Sequence, residues 1–386
     1  MKPFLFAGGK TGGHLYPGLA VAEEITRMSP GAEIAFCGAG FELPKRECER
    51  RGWPYHEVPA APIYQVNPLQ LMAGLFMNLD GTARAAELLR GMRPGLVVCC
   101  GGYEGFPVAL AARTHGVPVM LLEQNAVCGL TNRVLGPLSA SAAVAFPGRR
   151  ARPASPRVRV TGNPVRADLA SSQPDHAAFG LDPGRVTGLV LGGSAGAHSI
   201  NRAVAQAAEG LAAVPDLQMI IQTGAEDRDT VQRAVDEAGL RACVTDYLDP
   251  IGPALATADL ALARAGGSVF ELALAGLPAL LVPYPYAAAD HQTANARVFE
   301  RAGAAVVIPD RELTAERLAR EVKRLVTDGA LRRRMSAAAK GLARPDAARR
   351  AAELALDTVQ IGDKGFNRAK RAMPLAKPLA SSRRFR

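Results

Sequence analysis

No Cys-x-x-Cys pair occurs in this chain. Its six cysteines, Cys37, Cys48, Cys99, Cys100, Cys128 and Cys243, lie mostly in apolar or strand-like surroundings and form no ligand-like cluster with histidine. That spacing argues against a zinc module and a disulfide scaffold, and the thiols read as reduced core residues of a cytosolic protein. Nowhere do the roughly 18 apolar residues of a membrane span run together, so any membrane contact is expected to be peripheral. No leader is expected either: MKPFLFAGG has one Lys and an apolar run too short for a signal peptide's core, it leads straight into a glycine turn, and it reads as a first strand. Asp227-x-Asp229 reads as surface charge, leaving no metal motif. Acidic residues are the minority, 36 against 46 Lys and Arg, for a net charge of +10. Residues 361–386 carry eight of those cations and one acid, Asp363, so +7 sits in the tail and +3 on the body. The folded part therefore needs no nucleic-acid partner.

Two common phosphate-binding openings are absent as well. A Walker A motif needs a Gly five residues before its Gly-Lys pair, and Phe4 holds that offset from Gly9; G-x-G-x-x-G fails because the glycines fall as G-G-x-x-G-G. What is present is a series of glycine turns at strand ends. With 386 residues and 48% hydrophobic content the chain has material for about two domains with full cores. Residues 3–7 read as a strand, 8–13 as a glycine turn and 14–28 as a helix burying Leu15, Leu19, Val21, Ala22 and Ile25. Residues 31–58 read β-α-β. Strand 96–100 runs into Gly101-Gly102-Tyr103-Glu104-Gly105, and strand 117–122 into Glu123-Gln124-Asn125. Three polar loops at neighbouring strand ends define a crevice. His14 is either a helix-start cap or, with an imidazole near neutral pKa, a base for a hydroxyl proton. Between these loops Leu69, Leu71, Met72, Leu75, Phe76, Met77 and Leu79 form a dense apolar cluster. The pattern suits a buried helix for most of these side chains; with Arg84, Arg90 and Arg93 downstream it also suits a patch lying on a membrane surface.

Around 146–159 the composition turns to Pro, Arg and Ser, and beyond it the same logic repeats. Strand 186–191 leads to Gly192-Gly193-Ser194-Ala195-Gly196-Ala197 and a helix, a turn suited to a diphosphate or to tight packing. At Gly266-Gly267 another turn opens a helix that carries Glu271 early, where a carboxylate can accept a ribose diol or simply face water. Residues 278–283 read as a buried strand and 284–290 as the loop leaving its carboxyl end. Asp290 suits the N-cap of the next helix, on which Gln292 and Asn295 share a face; amides there suit sugar hydroxyls or plain surface polarity. Residues 312–358 read as helices, and the tail after Gly362, without steady periodicity, is expected to be disordered.

Read as one pattern, E-L-A-x-x-G-x-P from Glu271 and P-Y-P-Y-x-x-x-D-H-Q-T-x-N-A from Pro283 resemble the donor signature of the MurG family, bacterial enzymes that add N-acetylglucosamine to lipid I. GGKTGGHLYPG, Gly101-Gly102-Tyr103, Glu123-Gln124-Asn125 through Gly129-Leu130-Thr131-Asn132, Gly162-Asn163-Pro164-Val165-Arg166 and Gly192-Gly193-Ser194 resemble its remaining loops. Two departures stand out. Lys10 replaces a glycine of the three-glycine loop, crowding a backbone approach or adding a cation, and Leu122 replaces a His often found before the Glu. The resemblance implies an α/β protein of GT-B type, two Rossmann-like domains with parallel sheets facing an interdomain cleft. It implies an acceptor and membrane-side domain at 1–162, a donor domain at 163–345, a helix at 346–360 packing back on the first domain, and a basic tail at 361–386.

For the site, the resemblance implies His14 as catalytic base with Glu123 the runner-up. UDP-N-acetylglucosamine would be held by Thr11, Gly12, Gly13, Asn125, Arg166, Ser194, Leu248, Glu271, Gln292 and Asn295. Lipid I would be held by Gly101, Gly102, Tyr103, Glu123, Gln124 and Asn125. The sequence calls for no cofactor and holds no metal motif, though it leaves room for a divalent metal; an anionic membrane surface on the cytoplasmic side is the expected partner, nucleic acid is not. Rival readings are a UDP-sugar 2-epimerase on the same two-lobed fold and a non-catalytic, basic nucleotide- or nucleic-acid-binding protein.

Overall fold

The computed structural model describes residues 2–62, 67–192 and 197–372. Short apolar strands separated by helices cannot pair as hairpins, so they build parallel sheets covered on both faces. The first sheet has the order β3-β2-β1-β4-β5-β6-β7, with β1 (Phe4–Ala7), β2 (Ile34–Gly38), β3 (Tyr55–Glu57), β4 (Leu96–Cys99), β5 (Val119–Glu123), β6 (Ser141–Val144) and β7 (Val158–Val160). The second has the order β10-β9-β8-β11-β12-β13, with β8 (Val186–Leu191), β9 (Leu217–Gln222), β10 (Ala242–Thr245), β11 (Leu260–Ala263), β12 (Ala279–Leu281) and β13 (Ala305–Val307). All of these pairings are parallel, and in each sheet the first strand is flanked by its second and fourth. At that reversal of strand order helices leave to opposite faces, which opens a crevice at the carboxyl ends.

Phe4, Phe6, Leu15, Leu19 and Ile25 fill one face of the first sheet, joined there by Ala351, Ala355 and Val359 of the last helix. That helix, Ala347–Ala372, returns from the second domain to pack on the first and runs past residue 360; residues 373–386 lie outside the described part. Phe146, at the compositional shift, packs across the domain junction against Phe270, ring centres 5.1 Å apart and planes tilted by 50°.

Helix Pro68–Met92 departs from the expectation of a mostly buried segment. Leu69, Phe76 and Leu79 are 79%, 66% and 64% exposed, and Leu71, Met72, Leu75 and Met77 are exposed with them. Its inner face is made instead from small residues: a Cβ on Gly81 would stand 1.9 Å from the Pro59 carbonyl oxygen, and the Asn78 amide makes two 3.1 Å hydrogen bonds to the Ala61 backbone. Close backbone approach around Gly81 leaves no room for large side chains there, so those of 69–79 point outward, while Leu89 farther along the helix is buried. Among the described residues no helix is long and apolar enough to cross a membrane.

Candidate functional site

A cleft of about 760 Å³ separates the carboxyl ends of the two sheets. Thr11, Gly12, Gly13, His14, Gln124 and Asn125 line it from the first domain; Leu248, Glu271 and Gln292 line it from the second, with Arg166 at the crossing. The two glycine turns meet across it, since a Cβ on Gly267 would stand 3.4 Å from Gly13 Cα.

Helix Gly12–Met28 places His14 in its first turn, with Nδ1 3.5 Å from the Thr11 hydroxyl. Gly101 (φ +101°) makes room for the ring: a Cβ there would meet His14 Cδ2 at 2.7 Å and Gln124 Oε1 at 3.0 Å. Gly101 and Gly102 thus serve the site by being small beneath His14. Gln124 is fixed in turn by donating to the Cys100 carbonyl at 2.8 Å. Burial, and then the nearby His291, lower the His14 pKa to about 4, so the imidazole is neutral at neutral pH.

Glu123 stands apart from the cleft wall. It is buried, and both carboxylate oxygens are taken: Oε1 accepts from Asn125 N (3.0 Å) and Asn125 Nδ2 (3.2 Å), Oε2 from Gly129 N (2.8 Å) and Asn132 Nδ2 (2.9 Å). Four donors leave no lone pair directed at a substrate, so the carboxylate shapes the loop that presents Gln124 and Asn125. Leu122 is buried in the sheet core beside it. Tyr103 lies in the turn ahead of helix Gly105–Thr114, outside the cleft wall, its carbonyl accepting from Phe106 N at 3.0 Å.

On the facing wall Glu271, in the first turn of helix Ser268–Ala275, pairs with Arg166 at 3.5 Å. Burial raises its pKa, and the guanidinium works against that shift. Gln292 accepts from Tyr284 N at 2.9 Å, which ties the 284–290 loop to helix His291–Arg301. Asn295, expected beside it on the sugar face, is fully buried. Its Oδ1 accepts from Ala126 N (2.8 Å) while Nδ2 donates to Asn125 Oδ1 (3.1 Å) and Ala265 O (3.0 Å), so it clamps the two domains together. Asp290 occupies the N-cap position, but with φ +52° and without a side-chain capping bond. Ser194 lies outside the described residues.

Several residues of the site carried no role in the sequence reading. Arg264 is buried, bonded to Ser199 Oγ (2.7 Å) and Asp310 Oδ1 (2.6 Å), with its guanidinium 5.5 Å from the Tyr284 ring centre. Burial alone would raise the Asp310 carboxyl, but the hydrogen bonds from Ser199 and Arg264 leave it below its ordinary value. Asn163 is 5% exposed in the cleft wall, and its Oδ1 has no hydrogen-bond partner among the described residues. Glu104 accepts from Lys10 N (2.7 Å) and Ala39 N (3.1 Å), so a carboxylate of this chain pins the first glycine turn; the Lys10 ammonium rests 4.7 Å from the Phe41 ring centre. Asp227 holds His198 (2.8 Å) and Asn201 (2.7 Å) and so is more than free surface charge. The described residues contain no group of three or more His, Cys, Asp or Glu fit for a metal ion.

The glycosyltransferase family 28 N-terminal domain matches residues 4–144, and the family's C-terminal domain matches residues 187–351. The UDP-N-acetylglucosamine--N-acetylmuramyl-(pentapeptide) pyrophosphoryl-undecaprenol N-acetylglucosamine transferase of Salinibacter ruber is 38% identical over 364 residues, 93% of this chain and 97% of that protein. This chain belongs to the MurG family. The Moorella thermoacetica transferase of the same name is 37% identical over 93% of this chain and 99% of its own. A crystal structure of Acinetobacter baumannii MurG superimposes with a TM-score of 0.73 at 28% identity, over 92% of this chain and all of that one, and the MurG family fold is GT-B. A UDP-N-acetylglucosamine 2-epimerase structure shares the fold alone, with a TM-score of 0.65 at 16% identity over 97% of this chain and 98% of that one.

Proposed function

We propose that this chain transfers N-acetylglucosamine from UDP-N-acetylglucosamine to the C4 hydroxyl of the muramoyl sugar in undecaprenyl-diphosphoryl-MurNAc-pentapeptide, converting lipid I to lipid II in peptidoglycan synthesis. The observation that carries the reading is the opposition, across one cleft, of a neutral imidazole on the first domain and an Arg166–Glu271 pair with Gln292 on the second. The relatives' names supply the substrates.

His14 takes the proton of the acceptor hydroxyl as its oxygen attacks the anomeric carbon from the face opposite UDP. The bond from that carbon to the diphosphate oxygen breaks, and UDP leaves with the electron pair, inverting the centre to a β-1,4 link. A positioned base contributes about 100- to 10,000-fold. Arg166 and Ser194 receive the diphosphate charge, Glu271 the ribose diol, Gln292 the sugar, and Leu248 the uracil through its backbone. Gly101 beneath His14, together with Gln124 and Asn125, walls the acceptor side. Glu123 and Asn295 act one step back, by holding those walls in place.

The exposed face of helix Pro68–Met92 supports peripheral attachment to an anionic membrane, on the cytoplasmic side where UDP-sugars are made. Apolar side chains enter the lipid boundary, and Arg84, Arg90 and Arg93 lie farther along the same segment.

A UDP-release assay with and without a lipid I analogue tests the function. Release that depends on the analogue and yields a disaccharide-lipid is expected. Conversion of UDP-N-acetylglucosamine to its 2-epimer without acceptor would replace the transferase reading with the isomerase one.

A further inference from the structure

Tyr16 has no part in the chemistry above, yet it touches the donor side of the cleft in two ways. Its hydroxyl lies 3.2 Å from the Tyr247 hydroxyl of the second domain. Its ring carries the Arg166 guanidinium at 4.5 Å, and Arg166 reaches on to Glu271 at 3.5 Å. All four residues face the same cleft as His14.

These contacts have little slack. Tyr247 is held within its own loop, its N–H donating to Asp246 Oδ1 at 2.9 Å and its carbonyl accepting from Thr245 Oγ1 at 3.1 Å. The next residue, Leu248, donates its N–H to Gln222 Oε1 at 3.4 Å. At the other end Tyr16 is the fifth residue of helix Gly12–Met28, two residues after His14, where the backbone hydrogen bonds of the helix make its N-terminal end move as one piece. Arg50 and Asp249 add an ion pair of 3.0 Å between the domains, but both are solvent-exposed and the pair is correspondingly weak.

We infer that Tyr16 is a positioning residue. It passes the seating of the donor on the Tyr247–Leu248 loop and on Glu271–Arg166 to the first turn of helix Gly12–Met28, and so fixes His14 for the acceptor hydroxyl. When a ribose occupies Glu271, Arg166 keeps the Tyr16 ring as its protein partner while its guanidinium meets the diphosphate. With Glu271 free of ribose, Arg166 is shared between the Tyr16 ring (4.5 Å) and the Glu271 carboxylate (3.5 Å). The device favours acceptor deprotonation when donor is bound, and it rests on the reading of His14 as base.

Tyr16→Phe and Tyr247→Phe each remove the hydroxyl link while keeping the rings. With saturating substrates and a soluble lipid I analogue, each variant is expected to lower kcat about three- to tenfold, the worth of one part-buried hydrogen bond. UDP affinity by titration calorimetry should stay within about twofold and the melting temperature unchanged, because the ring packing survives. The double variant should be no slower than either single one, since both substitutions break one link. Tyr16→Leu, which also removes the platform under Arg166, should raise the donor KM in addition. Unchanged kcat in both phenylalanine variants, or losses that multiply in the double variant, would overturn the inference. So would a fall in UDP affinity with kcat intact. Wild-type turnover measured alongside separates the two readings. Its absence sinks the transferase function and this inference together, whereas wild-type turnover with unaffected phenylalanine variants sinks the inference alone.

Discussion

Replacing Glu123 by Gln keeps the shape of the side chain and changes one oxygen into an NH2 group. In the native loop the two oxygens accept four hydrogen bonds, from the Asn125 backbone and side chain and from Gly129 N and Asn132 Nδ2. A glutamine can satisfy only one of these pairs and turns its own donors against the other. Hydrogen bonds to a charged group contribute about 1.5–3 kcal/mol each, so losing two costs about 3–6 kcal/mol before relaxation. For a domain of this size about 2–4 °C of melting temperature accompanies each kcal/mol, and a fall of at least about 6 °C is expected in a thermal melt. kcat should fall as well, because Gln124 and Asn125 lose their support, while the shape of its pH dependence stays that of the wild type. A variant that melted within about 2 °C of wild type but lost three orders of magnitude in kcat would refute this reasoning and hand the base role to Glu123.

Glu271→Gln should raise the donor KM about tenfold or more, through loss of a charged acceptor for the ribose, with the acceptor KM little changed; an unaltered donor KM would remove the ribose assignment. His14 titrates at about 4 when folded against an ordinary 6.5, so the unfolded chain binds the extra proton first. Stability contributed by the neutral ring is then complete above 6.5 and lost as pH falls toward 4, and kcat/KM should show no acid limb from this group between about pH 5 and 8. His14→Ala that retained wild-type turnover would transfer the base role elsewhere. Asn295→Ala strips three buried hydrogen bonds at the domain junction and should cost about 2–4 kcal/mol in urea unfolding; full stability with a raised donor KM would restore its sugar role. Phe76→Asp should weaken binding to anionic vesicles about tenfold or more in co-sedimentation while sparing turnover of a soluble acceptor, and undiminished binding would count against the membrane face.

Much of the architecture is local in origin, which is why it could be read from the chain. A glycine turn between a short apolar strand and an amphipathic helix forces a parallel sheet with its loops at one end, and two such series predict two sheets facing a cleft. Glu271 and His14 were legible for the same reason: each sits in the first turn of a helix directly after a glycine turn, and that local geometry already points it at the crevice. The sequence also determined the residue types available for the chemistry, an imidazole, a carboxylate and amides.

Only the tertiary structure decided how those groups are used, because it sets which neighbours meet them: Asn295 bonds across 170 positions, and Glu123 is enclosed by its own loop folding back from Asn125 to Asn132. Glu123 and Asn295 carry polar groups that suit a sugar, but neighbours folded against them consume every hydrogen bond, and a satisfied buried group has none left for a ligand. Asn125 and Asn295 are 170 positions apart, and Tyr16 and Tyr247 are 231 apart, so no spacing rule joins them. The apolar run at 69–79 shows the same limit from the opposite side: its composition suits a core, but backbones pressed together at Gly81 turn the large side chains outward.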